Sequence, residues 1–395
     1  MKNSIKALAG VVAITSIFAL SGLTGAAASA SPRVTASNAV AAKQAAAAAK
    51  VVAAVSKSTD KFVAPGAAVK NVKAFAGKTV YYIPATLTVP LFTIQEAGLK
   101  AAFGAVGAQV KTCDAKSNPQ DLATCLGQAV DAKAGAVVIG SLPVSMAPTA
   151  FQAVVDANIP LVITLVSDEA IYGDAKVYSD NTKVGYVTQN GIEMQAWNAN
   201  AVIADSKAKA SVLAIEVTDT EATKLWTEAG ALGTYKAACS ACKATVIQTT
   251  TGTIDKVASL VSAKLVADPS IKYIQVPFDG FVQPVQQGIQ SAGRTDVKIV
   301  SGDGYLDVLQ QMKSTKKVIA DSGYNVFATG WYAADQVLRI AGGQGAVQKE
   351  VFPLRRMITP TNVKTLDLTA KGQASGTWYG KADFIGGFSK LWGLK

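Results

Sequence analysis

Short apolar runs separated by helix-length segments recur twice along the chain, and this alternation constrains the fold more than any other feature. The first set reads "TVYYI", "AQVKTC", "GAVVIG" and "PLVITL", with helical segments at about 91–105, 119–133 and 145–157 between them. The second set reads "SVLAIEV", "ATVIQTT", "KYIQV" and "VKIVSG", again with helices between. Strands spaced this way form a parallel sheet with helices on both faces. Their apolar residues are nearly continuous, as expected of strands covered on both sides. The predicted class is α/β, with two doubly wound parallel-sheet lobes.

The two sets also resemble each other. Glu96-Ala97-Gly98 stands in the first helix of one and Glu228-Ala229-Gly230 in the first helix of the other. The same order of elements follows in each, so a duplicated α/β unit is expected, giving two similar lobes that face each other. In open α/β sheets, ligands bind beyond the carboxyl ends of the strands. The loops after the strands should therefore line one cleft. They read "PATLTVPLF", "GSLPVS", "LVSDEA", "TDTEATKLW", "TTTGTI", "PFDGF", "SGDGY" and "DSGYN". Thr, Ser and Asp supply hydrogen bonds there, and Phe, Trp and Tyr supply stacking surface. That combination suits a neutral polar ring such as a sugar. The first corner holds no glycine, so it is no phosphate cradle. Thr88 offers a hydroxyl and Phe92 an aromatic wall, unless Phe92 only packs helix to sheet.

Histidine is absent from all 395 residues. This removes Ser-His-Asp triads, HExxH sites and histidine-rich metal sites. With no phosphate loop and no close acid pair at a recognisable motif, no enzyme, cofactor or metal is expected. The formal net charge is +11, but the lysines are scattered without an Arg–aromatic cluster. They read as solvated surface rather than a nucleic-acid face.

Lys2 and Lys6 open a secretory signal peptide, followed by an apolar run from Ala7 to Leu20 and small residues ending in Ala28-Ser29-Ala30. The run is shorter than the ~20 residues needed to span a bilayer. Leu20-Ser21-Gly22 resembles the start of a lipoprotein cleavage box, but Leu23 stands where cysteine is required. The mature chain is therefore expected to be exported and not lipid-anchored there. Export makes disulfides the default for the four cysteines, with Cys113 paired to Cys125 and Cys239 to Cys242 by proximity. A redox CxxC opens a helix after a strand, whereas "CSAC" ends a helix and precedes the strand "KATVIQTT". Residues 31–76 form a separate Ala- and Lys-rich lead, helical by propensity and broken at Pro65-Gly66. It reads as a spacer, or as a helix packed on the body.

"VPLFTIQEAGLKAAF", "NPQDLATCLGQAVDAKAGAVVIGSLP", "ANIPLVITL", "YSDN" and "GDG", taken with the signal peptide and duplicated lobes, resemble type I periplasmic binding proteins. The resemblance covers about residues 77–345 and is nearest the ribose-binding-like branch that feeds sugar ABC importers. The Ala-rich lead and paired cysteines resemble exported actinobacterial members. It implies a first lobe of 77–181 plus 323–350 and a second of 183–321 plus 351–395. Tyr178-Ser179-Asp180-Asn181 and Asp321-Ser322-Gly323 would be hinge strands. It implies a monomer with two partners, a small-molecule ligand and a membrane ABC permease, and no nucleic acid. Expected ligand contacts are Thr88, Phe92, Ser141, Asp219, Trp226, Phe278, Asp279, Asp303 and Asp321.

The chain departs from the sugar-binding pattern. Val89 stands where an Asn is common, Gly140 or Ser141 matches another Asn, and Val166-Ser167 matches an Asp-Arg pair. A clamping Arg falls near Trp226 or Ala229, and Phe278 replaces an Asn. Asp303 of "GDG" is plainly kept. The ligand expected is a sugar or sugar-like molecule, or else a less hydroxylated or aromatic solute. A transcription regulator of the same fold is disfavoured because a signal peptide stands in place of a DNA-binding headpiece. A cell-wall sensory or structural protein would differ by lacking ligand-dependent closure.

Overall fold

The computed structural model describes residues 32–166, 180–219, 221–347 and 352–394. The expected signal peptide lies outside these residues, as do Tyr178 and Ser179. Helix α1 (Pro32–Val55) leads the chain and stops well before Pro65-Gly66. From Val40 this lead lies on the body. Ala41 and Ala48 are buried, and the amide and hydroxyl of Ser240 both donate to Gln44 Oε1 at 3.2 Å.

The first sheet is built from β1 (Thr79–Pro84), α2 (Pro90–Ala105), β2 (Gln109–Thr112), α3 (Pro119–Asp131), β3 (Ala136–Gly140), α4 (Pro148–Asp156), β4 (Leu161–Thr164) and β5 (Val184–Val187). Its strands are all parallel, in the order β2-β1-β3-β4-β5. Strands β3, β4 and β5 are buried throughout, which explains their unbroken apolar character. Helices α2, α3 and α4 each begin on proline, whose fixed φ suits the first helical position and whose missing N–H costs nothing there. Asn118 caps α3 by accepting from the amides of Gln120 and Asp121 at 2.8 and 3.2 Å.

Helix α5 (Gly191–Asp205) crosses to the second sheet. There follow β6 (Ser211–Val217), α6 (Glu221–Leu225), a π-helical stretch Trp226–Leu232, α7 (Gly233–Ala238), β7 (Lys243–Thr249), α8 (Val257–Ala267), β8 (Tyr273–Gln275), α9 (Val282–Ser291), β9 (Lys298–Asp303), α10 (Leu306–Thr315) and β10 (Val318–Tyr324). Helix α11 (Val326–Ala341) returns to pack on α2, β4 and β5. Strand β11 (Arg355–Ile358) comes back to pair antiparallel with β10. The second sheet thus has the order β11-β10-β9-β8-β6-β7. Helices α12 (Ala370–Ser375) and α13 (Phe384–Leu391) end the chain.

The duplicated Glu-Ala-Gly has one structural reason in both lobes. A Cβ on Gly98 would stand 2.0 Å from the Phe327 carbonyl oxygen of α11, and one on Gly230 would stand 2.5 Å from the Ile192 carbonyl oxygen of α5. Each glycine lets the helix arriving from the other lobe lie against the first helix of its own.

The crossings fall later than the sequence suggested. Strand β5 pairs with β4 in the first sheet through Val187, beyond the expected change at 181–183. Residues Asp321–Gly323 are ladder residues between β9 and β11, not hinge. Three crossing segments instead lie side by side: Phe352 N–H donates to Thr188 O at 3.0 Å and Asn325 N–H to Leu354 O at 2.9 Å. Helix α13 packs on α11, so this part of 351–395 sits on the first lobe. Apolar periodicity marks an element but does not say which sheet it joins, which is why the expected boundaries shifted. Both expected disulfides are present. Cys113–Cys125 ties the chain after edge strand β2 to α3, and Cys239–Cys242 links the end of α7 to β7.

Candidate functional site

The carboxyl ends of β1, β3, β4, β6, β7, β8, β9 and β10 converge on a cavity of about 530 Å³, within the size range of small-molecule sites. Six of the nine expected contacts line it: Phe92, Ser141, Asp219, Trp226, Phe278 and Asp303. Phe92 follows the proline that starts α2, so the turn that begins the helix delivers the ring to the wall. It is also 7% exposed, so it serves packing and cavity together. Trp226 opens the π-helical stretch. Its ring lies over Gly191, where a Cβ would come 2.2 Å from the indole. The glycine that starts α5 therefore makes room for a wall residue.

Thr88, Asp279 and Asp321 stand off the wall. Thr88 is exposed and its hydroxyl bonds Thr86 at 3.0 Å; Thr86 lines the cavity in its place. Asp279 is buried, accepting from Ser301 Oγ at 2.5 Å and the Tyr305 amide at 2.6 Å. Asp321 is also buried and accepts from the Gly304 amide at 3.1 Å. These two carboxylates hold the two backbone amides that directly follow Asp303. That support matters because Asp303 has φ 103° and Gly304 has φ 76°, the former a conformation that costs a non-glycine residue energy.

The acids are electrostatically linked. Burial and the neighbouring Asp279 push the Asp303 carboxyl well above the usual carboxylate range, partly offset by a hydrogen bond with Tyr324. Burial and Asp321 push Asp279 up, and burial and Asp303 do the same to Asp321. Like charges this close in a buried site disfavour one another's ionised forms, so the cluster resists full ionisation. Among the described residues, no group of three or more His, Cys, Asp or Glu is arranged to hold a metal ion.

Several wall residues carried no signal in the sequence. Gln189 lies on the first crossing segment, lines the cavity, and has a buried Oε1 without a partner. Its position follows from the crossing and from nothing local. Met146, after β3, was equally silent. Tyr305 and Tyr324 close the "SGDGY" and "DSGYN" loops and could have been weighed there. The loop "LVSDEA" reaches the wall at Leu165 and Val166; its continuation lies outside the described residues.

Two α/β lobes of one plan, joined by three adjacent crossings with a cavity at their strand ends, define the type I periplasmic-binding-protein fold. The chain belongs to the periplasmic binding protein family: the family model described as a periplasmic binding protein domain matches residues 80–345. Solved structures are similar in fold. A 5-methylthioribose transporter solute binding protein from Thermotoga lettingae has a TM-score of 0.66 at 15% identity, covering 82% of this chain and 99% of its own. A carbohydrate transporter from Acidothermus cellulolyticus, in complex with myo-inositol, has 0.61 at 20% identity, covering 76% and 99%. A solute binding protein from Agrobacterium vitis with bound allitol has 0.63 at 18% identity, covering 74% and 98%. No curated protein sequence matches the chain.

Proposed function

We propose that this is an exported solute-binding protein that takes one small uncharged molecule into the cleft between its lobes and presents it to a membrane ABC permease. The observation that carries the reading is the cavity itself, walled by strand ends from both sheets and floored by the crossing segments. The similar structures with sugars and polyols bound support a sugar-like solute, or a less hydroxylated relative of one. The protein works as a monomer that closes on its ligand. Phe92, Ser141, Asp219, Trp226, Phe278 and Asp303 are the proposed contacts, joined by Gln189. Asp303 is the hydrogen-bonding anchor and Trp226 and Phe278 are stacking surfaces.

A thermal-shift screen of the mature chain against sugars, polyols, glycosides and simple aromatics tests this. A solute at about 100 times its Kd should stabilise the fold by ~2.7 kcal/mol. In titration calorimetry with the hit, Asp303→Ala should cost about 1–3 kcal/mol by leaving ligand donors unpaired, while circular dichroism shows the fold intact. Silence across every class of compound would remove the solute-binding reading.

A further inference from the structure

The cavity wall is divided in its chemistry. The first lobe contributes mainly apolar surface: Phe92, Leu142, Met146, Leu165 and Val166. The carboxylates, Asp219 and Asp303, both come from the second lobe. Much of the remaining polarity is already spent within the protein. Asp219 accepts from the Thr251 amide at 2.9 and 3.0 Å and from its hydroxyl. Ser117 Oγ donates to Ala85 O at 3.3 Å, and Thr86 is engaged with Thr88. Gln189 Oε1 is a buried acceptor with nothing to accept. Beside it, the half-buried Ser141, Tyr305, and Asp303 with its hydrogen-bonded neighbour Tyr324 remain to meet a solute. Among the described residues no Lys or Arg lines the cavity.

Resting on the solute-binding reading above, we propose that the ligand is an uncharged amphiphile: a hydroxylated ring that carries an apolar substituent. Its hydroxyl edge meets Gln189 and Asp303, and its substituent lies on the first-lobe wall of Phe92, Leu142 and Met146. A bare, fully hydroxylated sugar fits poorly. It would bury more hydroxyls than the wall can pair, and each one left unpaired weakens binding by roughly five-fold or more. A plain hydrocarbon or arene fits poorly for the converse reason, since it leaves Gln189 and Asp303 desolvated and unmatched. A phosphorylated or carboxylated solute meets no cation among the described wall residues and faces two acids. Discrimination of this sort, by unpaired groups as much as by attractive contacts, is how a pocket rejects close analogues.

The test is titration calorimetry of the full mature chain with matched series. For D-ribose, D-xylose, D-glucose and D-galactose the probes are the free sugar, its phenyl glycoside and its terminal phosphate, with benzyl alcohol as the arene alone. In at least one series the phenyl glycoside should bind about ten-fold or more tightly than the free sugar, and the phosphate should not bind. Met146→Asp, at a half-buried wall position, should weaken the phenyl glycoside about ten-fold or more and so remove its advantage over the free sugar. Gln189→Leu should weaken both. Free sugars binding as tightly as their glycosides would overturn the amphiphile and leave the solute-binding reading standing, as would benzyl alcohol binding best. No heat with any probe would count against both.

Discussion

Asp303 shows how a single position joins strain, electrostatics and recognition. Its φ of 103° turns the carboxylate out of the end of β9 toward the cavity. The cost is met by Asp279 and Asp321, which fasten the amides of Tyr305 and Gly304. A Cβ on Gly304 would stand 2.2 Å from Tyr379 Oη, so the turn is fitted from behind as well. The acid cluster has a pH consequence with a definite sign. Burial and neighbouring acids raise Asp279 and Asp321 above their ordinary value of 3.8. A group raised in the folded chain contributes stability at low pH and loses it as pH climbs through the folded value. The titratable groups acting on the pair are Asp303, Tyr305, Asp307 and Tyr379, none of which supplies a cation. Melting temperature should therefore fall from about pH 5 toward pH 8 through this cluster. Asp321→Asn keeps an acceptor for Gly304 N–H and removes one of the titrating carboxyls, so it should flatten that fall. A wild-type slope surviving in the variant would refute the assignment.

At the scale of elements, the repeated Glu-Ala-Gly was visible in the sequence, but its purpose was not. Spacing placed Gly98 and Gly230 on equivalent helices. Only the fold shows that each faces the backbone of a helix arriving from the other lobe. Gly98→Ala should destabilise by about 1–3 kcal/mol in urea unfolding, because a methyl cannot share space with the Phe327 carbonyl. Gly104, on the same helix, has nothing within 4 Å of a Cβ; Gly104→Ala should be neutral or stabilising by up to about 1 kcal/mol. Equal effects at the two positions would show that helix propensity, not the crossing, decides. The C-terminal helix makes a second case. Trp392 stacks on Trp331 with ring centroids 5.5 Å apart and donates its Nε1–H to buried Asp335 at 2.8 Å. Asp335 also holds Arg339 at 2.7 Å. Trp392→Ala should cost about 3–5 kcal/mol, through lost packing and a carboxylate with one donor fewer. A loss under ~1 kcal/mol would mean α13 is only lightly attached.

For the whole molecule the expected behaviour is closure. The crossing segments are short and bonded to each other near Thr188, Asn325 and Phe352, and the cavity draws walls from both lobes. A solute touching both favours the closed state by its differential contacts. The radius of gyration from small-angle scattering should shrink when the screened ligand saturates the protein. An unchanged radius at saturation would mean the ligand does not bridge the lobes. The alternation of strands and helices, their parallel sheets, the likeness of the halves and the two cysteine pairs were all legible along the chain. They depend on neighbours within about thirty residues, where hydrophobic period and spacing carry the information. Six of nine expected contacts came to the cavity because strand-end loops of an open α/β sheet have little choice of where to point. The residues that stood off it, Thr88, Asp279 and Asp321, share the polarity of a binding residue, and polarity does not distinguish a group that meets ligand from one that holds a turn. Gln189, the crossing points and the seat of α13 were decided by tertiary structure alone. Each depends on contacts between separate elements, such as Phe352 with Thr188 and Trp392 with Asp335, and no local period encodes such a partner.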